Sequence, residues 1–124
     1  MDLIDYRDSR PIYEQITERY KTLILKGVLE PGEQMPSVRQ LAMELSTNPN
    51  TVQKTYRQLE QRGLIYSLPG KGSYVAERSQ YSSAVLEKAT EEFRKAVEDG
   101  VKSGLTGEMM KAAVDAVVNK EGKV

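Results

Sequence analysis

The sequence contains neither cysteine nor histidine among its 124 residues. Without cysteine, the chain can form no disulfide bond and offers no thiolate ligand to a metal ion. Without histidine, it lacks the commonest general base, the commonest transition-metal ligand and the usual activator of a serine or threonine nucleophile. A catalytic site would have to be built from carboxylates, lysine and tyrosine alone. We therefore expect no enzyme, no metal and no cofactor.

Long apolar runs are also missing, and none approaches the roughly 20 residues that cross a bilayer. Residues 1–5 are acidic and lack the basic and apolar regions of a signal peptide. Together with the lack of cysteine, these features predict a cytoplasmic protein. Hydrophobic residues make up 39% of the chain, which is enough for a modest core.

Net charge is absent as well, because 18 basic residues balance 18 acidic ones. The distribution is nevertheless uneven. Residues 34–75 contain five basic and two acidic side chains, whereas residues 77–124 contain eight basic and nine acidic ones. Phosphate binding requires a locally positive surface, and the total charge does not report it. The first part of the chain is therefore the candidate for contact with nucleic acid.

Apolar residues at helical spacing predict three helices in this first part. The first covers residues 11–26 and opens with a proline, a favoured first helical residue. The second begins at Ser37, which forms a capping box with Gln40, and ends near residue 46. The third covers residues 48–62, with an asparagine N-cap, a proline behind it and a glycine past its end. The side chains expected to be buried are Ile12, Ile16, Tyr20, Leu23, Ile24, Val38, Leu41, Ala42, Leu45, Val52, Tyr56 and Leu59.

A β-hairpin with a glycine-rich tip is predicted after the third helix. Residues 64–67 and 73–75 are β-prone, and residues 68–72 between them contain Pro69 and two glycines. Two helices joined by a tight turn and followed by a two-stranded wing describe a winged helix-turn-helix. The expected fold is thus mainly α with a small β wing, and residues 9–77 form its N-terminal domain.

The rest of the chain is predicted to form a helical appendage over residues 78–119. An apolar stripe that begins at Tyr81 indicates a helix uninterrupted until Gly100. Ser103 and Gly104 break the pattern, and Thr106 can cap a last helix. Residues 120–124 are expected to be a frayed tail.

Dimerisation follows from the two apolar stripes of this appendage. With no further core to cover them, the two helices should bury their stripes against a second copy of the chain. Folding back onto the chain's own N-terminal domain stays an open alternative. The residues expected at the dimer contact are Val85, Ala89, Phe93, Val97, Met109, Ala113, Ala116 and Val117.

Hydrogen-bonding side chains are left on the outer face of the third helix, and they are Asn50, Gln53, Lys54 and Arg57. Amide and guanidinium groups can bind base edges in the major groove, and cations can bind phosphates. Any solvated helix face is polar too, so the stripe alone does not decide.

Three features lie near this face. Arg39 could contact a guanine from the start of the second helix, or pair with Glu33 as an ordinary surface residue. Ser37, primarily a cap, could also hold a phosphate with the free amides of that helix. Gly70, Lys71, Gly72 and Ser73 offer one cation and bare backbone at the wing tip.

Five motifs in register resemble the DNA-binding domain of the GntR family. They are PIYEQI (residues 11–16), LEPGEQMPSVRQLA (29–42), NPNTV (48–52), LEQRGLI (59–65) and GKGSYV (70–75). The resemblance covers residues 9–77. It implies a transcription regulator that binds a palindromic operator as a homodimer. Of repression and activation, repression is the expected activity.

The resemblance also implies roles for single residues. Helix 48–62 would lie in the major groove, and wing residues 68–73 would contact the minor groove or phosphates. Arg39 is the position expected to contact a base, while Thr51 and Gln53 match recognition-helix contacts, and Gly70 and Lys71 match the wing. Pro49 departs from the pattern, because many relatives carry a basic residue there.

The short helical tail resembles the YtrA subfamily, whose members look like dimers that often govern transporter operons. About 48 residues in two helices cannot enclose a metabolite, although an effector at the dimer seam is left open. The main alternative is a protein-interaction adaptor on a winged-helix scaffold. RNA binding is disfavoured, because the tyrosines are expected mostly at inward positions, where they cannot stack on bases.

Overall fold

The computed structural model describes residues 4–121 and divides them into two compact units, the first ending at Val85 and the second beginning at Leu86. A short 3-10 turn lies at Arg78–Gln80. The elements in chain order are α1 (Ile12–Leu25), α2 (Val38–Leu45), α3 (Pro49–Gln61), β1 (Ile65–Leu68), β2 (Gly72–Val75), α4 (Ser83–Lys102) and α5 (Gly107–Glu121). Among these residues, no helix is long and apolar enough to cross a membrane.

One hydrophobic core joins α1, α2, α3 and the hairpin in the first unit. Its most deeply buried aliphatic side chains are no more than 2% exposed, and they are Ile16, Leu41, Val52, Leu59, Leu64, Ile65 and Val75. The helical positions predicted to be buried all belong to this core or pack against it, with Ile12, Val38 and Leu45 half-buried at its margin. The buried face that the periodicity predicts for each of these three helices is thus confirmed.

Capping side chains set the starts of α2 and α3. The Ser37 hydroxyl accepts a hydrogen bond from the Gln40 amide at 3.0 Å, and the Asn48 side chain accepts one from the Asn50 amide at 2.8 Å. The predicted capping box at Ser37 forms only in part. Within the described chain, the Ser37 hydroxyl caps α2, but the Gln40 side chain makes no hydrogen bond back to the Ser37 amide. The two helices are separated by a tight turn in which Ser46 adopts a left-handed conformation.

The hairpin pairs Ile65 with Val75, Tyr66 with Tyr74, Ser67 with Ser73 and Leu68 with Gly72. Both strands therefore reach into the stretch predicted as the tip, and the loop shrinks to residues 69–71.

Residues 32–35, just before α2, form backbone hydrogen bonds with the outer side of the hairpin at β2. Val75 accepts from the Gly32 amide at 2.8 Å and donates to the Glu33 carbonyl at 2.9 Å. The Met35 amide donates to the Ser73 carbonyl at 2.8 Å. The segment that the sequence indicated only as a connection is therefore hydrogen-bonded to the wing.

The helix predicted from the stripe at Tyr81 begins later than expected, whereas its predicted break at Ser103 and Gly104 is confirmed. α4 begins only at Ser83, because the Ser82 amide donates to the Arg62 carbonyl at 2.8 Å and Tyr81 packs against the first core. At the other end, α4 continues through Gly100 to Lys102. A Cβ at Gly100 would lie 3.1 Å from Leu105 Cδ1, so the glycine allows α5's leading segment to pack closely on the helix.

The last helix begins as predicted, since the Thr106 hydroxyl accepts from the Met109 amide at 3.1 Å. It ends at Glu121, so Lys120 is still helical. The predicted frayed tail otherwise falls on residues 122–124, which lie outside the described residues.

Candidate nucleic-acid interface

The outer face of α3 carries the polar residues that the spacing requires. Val52, Thr55, Tyr56 and Leu59 are buried, which turns the opposite side of the helix to solvent. On that side lie the exposed residues Asn50, Gln53, Lys54 and Arg57, while Thr51 is half-buried near the N-terminus. The helix therefore presents two amides and two cations along one accessible stripe.

Lys54 on this stripe makes a contact that sequence spacing does not predict. Its ammonium lies 3.9 Å from the centroid of the Tyr13 ring, in a cation–π contact between α3 and α1. The Tyr13 carbonyl also accepts a hydrogen bond from the Thr55 hydroxyl at 3.1 Å. The contact leaves the charge of Lys54 intact but holds it at the side of α3 that faces α1.

On α2, α3 and the wing, three exposed cations have no partner within the part of the chain that the structure describes. No hydrogen bond or ion pair in residues 4–121 engages the side chains of Arg39, Arg57 or Lys71. The suggested partner of Arg39, Glu33, instead accepts a hydrogen bond from the Glu30 amide at 3.1 Å. These three cations thus keep their charge available for an external anion.

A buried tyrosine fixes the start of α2 on α3. The Tyr56 hydroxyl donates to the Pro36 carbonyl at 2.6 Å. Burial raises the pKa of Tyr56 well above its ordinary value, so the hydroxyl stays protonated and remains a donor. Because Pro36 directly precedes the cap Ser37, this bond sets where α2 begins relative to α3, and Arg39 with it.

The wing is tied to α3 on its inner side. The Ser67 hydroxyl donates to the Glu60 carboxylate at 2.6 Å and lies 3.3 Å from the Ser73 hydroxyl. Ser73 was a predicted DNA contact, and its hydroxyl is here engaged within the hairpin. At the tip, Gly70, Lys71 and Gly72 are exposed.

Tyr66 and Tyr74 form a stacked pair on the other side of the hairpin, with ring centroids 5.8 Å apart. Tyr66 is 41% exposed while Tyr74 is half-buried, so the expectation that the tyrosines lie mostly inward is wrong for Tyr66. Strand alternation could have found them, because Ile65 and Val75 face the core and their neighbours must face outward. The argument against RNA binding, which depends on inward tyrosines, therefore does not hold at Tyr66.

The predicted dimer residues divide between the two units. Val85 is buried within the first unit and is not available to a second copy. Ala89, Ala113 and Ala116 are exposed and Val97 is half-buried, while the large side chains Phe93, Met109 and Val117 are 56–62% exposed.

Between α4 and α5 lies an apolar cleft of about 540 Å³ within the second unit. Its lining contains no charged or polar side chain and consists of Phe93, Ala96, Val97, Leu105, Met109, Met110, Ala113, Val114, Val117 and Val118. Exposed apolar patches of this kind mark interaction sites on soluble proteins.

The first unit matches a known family of bacterial regulatory proteins. Residues 12–75 match the family model described as bacterial regulatory proteins, gntR family. The repressor YtrA of Bacillus subtilis is 51% identical over 77 residues, which cover 62% of this chain and 59% of that protein. The match thus spans less than two thirds of that relative. YhcF, an uncharacterised regulator of the same organism, is 34% identical over 85% of this chain and 88% of its own length.

Solved structures agree with the fold of the chain. A GntR family transcriptional regulator from Listeria monocytogenes superposes with a TM-score of 0.61 at 32% identity, over 91% of this chain and 98% of that one. The DNA-binding domain of AraR, solved in complex with the operator ORE1, superposes with a TM-score of 0.52 at 27% identity. That alignment covers 59% of this chain and 89% of the AraR domain.

Proposed function

This chain belongs to the GntR family of bacterial regulatory proteins, which are DNA-binding transcription regulators and not enzymes, and we propose that it represses transcription by binding a palindromic operator as a homodimer. In this proposal α3 lies in the major groove and the wing contacts the minor groove or the phosphates. Binding of an operator places the protein at the nucleoid in the cytoplasm.

The observation that carries this proposal is the set of unpartnered cations on the DNA-binding elements. Arg39, Arg57 and Lys71 come from α2, α3 and the wing, and all three are exposed. Cations that replace condensed counterions on phosphates supply much of the affinity of a protein for DNA. The operator complex of the AraR domain, which has a similar fold, supports this use of the fold.

Within this interface we assign direct base contact to Arg39 and to the two amide side chains on the stripe of α3, Asn50 and Gln53. A guanidinium can donate two hydrogen bonds to guanine, and amides such as those of Asn50 and Gln53 can pair with adenine. Thr51 is assigned to the same contact surface. Arg57 and Lys54 are assigned to phosphates, Lys54 from the position in which the Tyr13 ring holds it.

At the wing we assign the DNA contact to Lys71 and to the exposed backbone of Gly70 and Gly72. Ser37 is assigned a phosphate contact beside its capping role. Pro49 offers neither a charge nor a donor, so any contact that relatives make from this position is missing.

Dimerisation through the second unit is the remaining part of the proposal. A cleft lined entirely by apolar side chains gains free energy when a second copy covers it, at about 25 cal/mol per Å² of apolar surface buried. Two copies related by a two-fold axis would match the symmetry of a palindromic operator. We place Phe93, Val97, Met109, Ala113 and Val117 at this contact.

Substitution of the two best-defined cations tests the interface. Arg39→Ala is expected to weaken operator binding by about 1–3 kcal/mol and to relax discrimination at one base pair of each half-site. Lys71→Ala is expected to weaken operator and shuffled duplexes alike and to lower the salt dependence by about one phosphate contact. Binding isotherms at several salt concentrations measure both the loss of affinity and the change in salt dependence.

Lys95→Ala serves as the matched control, because it removes the same charge from α4, outside the proposed interface. It should bind like the parent protein. If Arg39→Ala and Lys71→Ala also bound like the parent, the assignment of this surface would be wrong, and an adaptor function on the same scaffold would be favoured.

A further inference from the structure

The wing tip contains two glycines in conformations that cost entropy to order. Gly70 and Gly72 on either side of Lys71 adopt φ angles of +76° and +105°. Glycine reaches such angles readily but loses more conformational freedom on ordering than any other residue. A cation mounted between two glycines therefore binds DNA with a large entropic cost, unless another group fixes the tip beforehand.

Two side-chain donors fix the Lys71 peptide from outside the loop. The Lys71 carbonyl accepts from Gln34 Nε2 at 3.1 Å and from the Tyr74 hydroxyl at 2.9 Å. The Lys71 amide donates to the Leu68 carbonyl at 2.9 Å. Both lone pairs of the Lys71 carbonyl and the backbone N–H of Lys71 are thus used, whereas its ammonium makes no bond within the described residues.

Gln34 is itself held in place by the fold. It forms a β-bridge with Tyr74, and the next residue, Met35, is 4% exposed and donates its amide to Ser73. The Gln34 amide also lies close to the glycine that follows the cation, since a Cβ at Gly72 would lie 3.2 Å from Gln34 Nε2. The backbone position of Gln34 is therefore set by its pairing with β2 and by the buried Met35 beside it, not by residues 69–71 of the loop.

We propose that Gln34, together with Tyr74, is a positioning residue that preorganises the wing tip and so determines how well Lys71 contacts DNA. This inference rests on the proposed function and deepens it. Neither residue needs to touch DNA in this role. The connection between α1 and α2 would thereby contribute to DNA affinity through the wing.

A double-mutant cycle between Gln34 and Lys71 tests this role. Gln34→Met keeps the length of the side chain but removes the donor. We expect it to weaken binding about 3- to 10-fold in the parent background, the effect of one lost hydrogen bond, and less than about 2-fold in the Lys71→Ala background. The salt dependence should fall toward that of Lys71→Ala. The probes are two duplexes of equal length, an inverted repeat obtained by selecting genomic DNA fragments that bind the parent protein and a shuffled version of it.

Hydrogen exchange of the Lys71 amide in the DNA-free protein separates this role from the proposed function. Exchange should quicken in Gln34→Met and further in Gln34→Met/Tyr74→Phe, with the unfolding midpoint unchanged. Unchanged exchange, or equal losses of affinity in both Lys71 backgrounds, would overturn the positioning role. Faster exchange in a protein whose parent binds neither duplex would contradict the proposed function instead, and with it any effect on DNA.

Discussion

Replacing Gly63 with alanine is expected to lower the free energy of unfolding by about 2–4 kcal/mol, the combined cost of a left-handed alanine and an overpacked contact. Gly63 lies just past Arg62, the C-cap of α3, and has a φ angle of +73°. An added Cβ would lie 1.8 Å from the carbonyl oxygen of Gln80, so the backbone must move. Urea unfolding of the variant and the parent measures the difference.

The segment that meets this Cβ has little freedom to retreat. The Gln80 amide donates to the Glu77 carbonyl at 2.9 Å, and the Ser82 amide donates to the Arg62 carbonyl at 2.8 Å. Gly27 is the matched control, because its φ angle is +77° but nothing lies within 4 Å of the Cβ that alanine would add. Gly27→Ala should cost only about 1–2 kcal/mol. Equal losses in the two variants would show that the contact with Gln80 does not constrain the fold.

Replacing Phe93 with aspartate is expected to weaken the proposed homodimer by about 2–4 kcal/mol, within the range found when aromatic anchors are lost from an interface. Phe93 is 58% exposed and lines the apolar cleft of the second unit. A carboxylate buried against an apolar partner surface would lose its hydration and gain no ion pair. Sedimentation equilibrium over a range of concentrations measures the dimer, and circular dichroism checks that the helices persist.

Operator binding should weaken in parallel, because a palindrome binds two linked half-site domains more tightly than two separate ones. Val28→Asp is the control, since Val28 is 63% exposed and lies in the first unit. It introduces the same charge and should leave the dimer intact. A Phe93→Asp protein that stays as dimeric as the parent would exclude this cleft as the contact between copies.

Features encoded by neighbouring residues could be predicted from the sequence. Ser37 and Asn48 announce the starts of α2 and α3, because a capping side chain bonds to amides two or three residues away. The hairpin follows from its glycines and β-prone residues, and the alternation around Ile65 would also have predicted an outward Tyr66. The fold class and the polar stripe of α3 needed no more than this.

Features that depend on the packing of distant segments could not be predicted. The Tyr13 ring beneath Lys54 and the Gln34 amide at the wing tip lie far from their partners in sequence. The late start of α4 has the same cause, because the Ser82 amide is drawn to the end of α3. The Ser82 hydroxyl also accepts a hydrogen bond from the Val85 amide at 3.4 Å, so a local cap contributes to the same start.

Selection of bound fragments from sheared genomic DNA, at near-physiological salt, tests the central claim most directly. The claim predicts recovery of an inverted repeat whose half-sites are separated by about one helical turn, or 10–10.5 base pairs, or a multiple of it. Such a repeat would match a two-fold dimer that presents α3 and the wing twice. Fragments enriched without a common sequence, or no enrichment at all, would contradict operator binding by this chain.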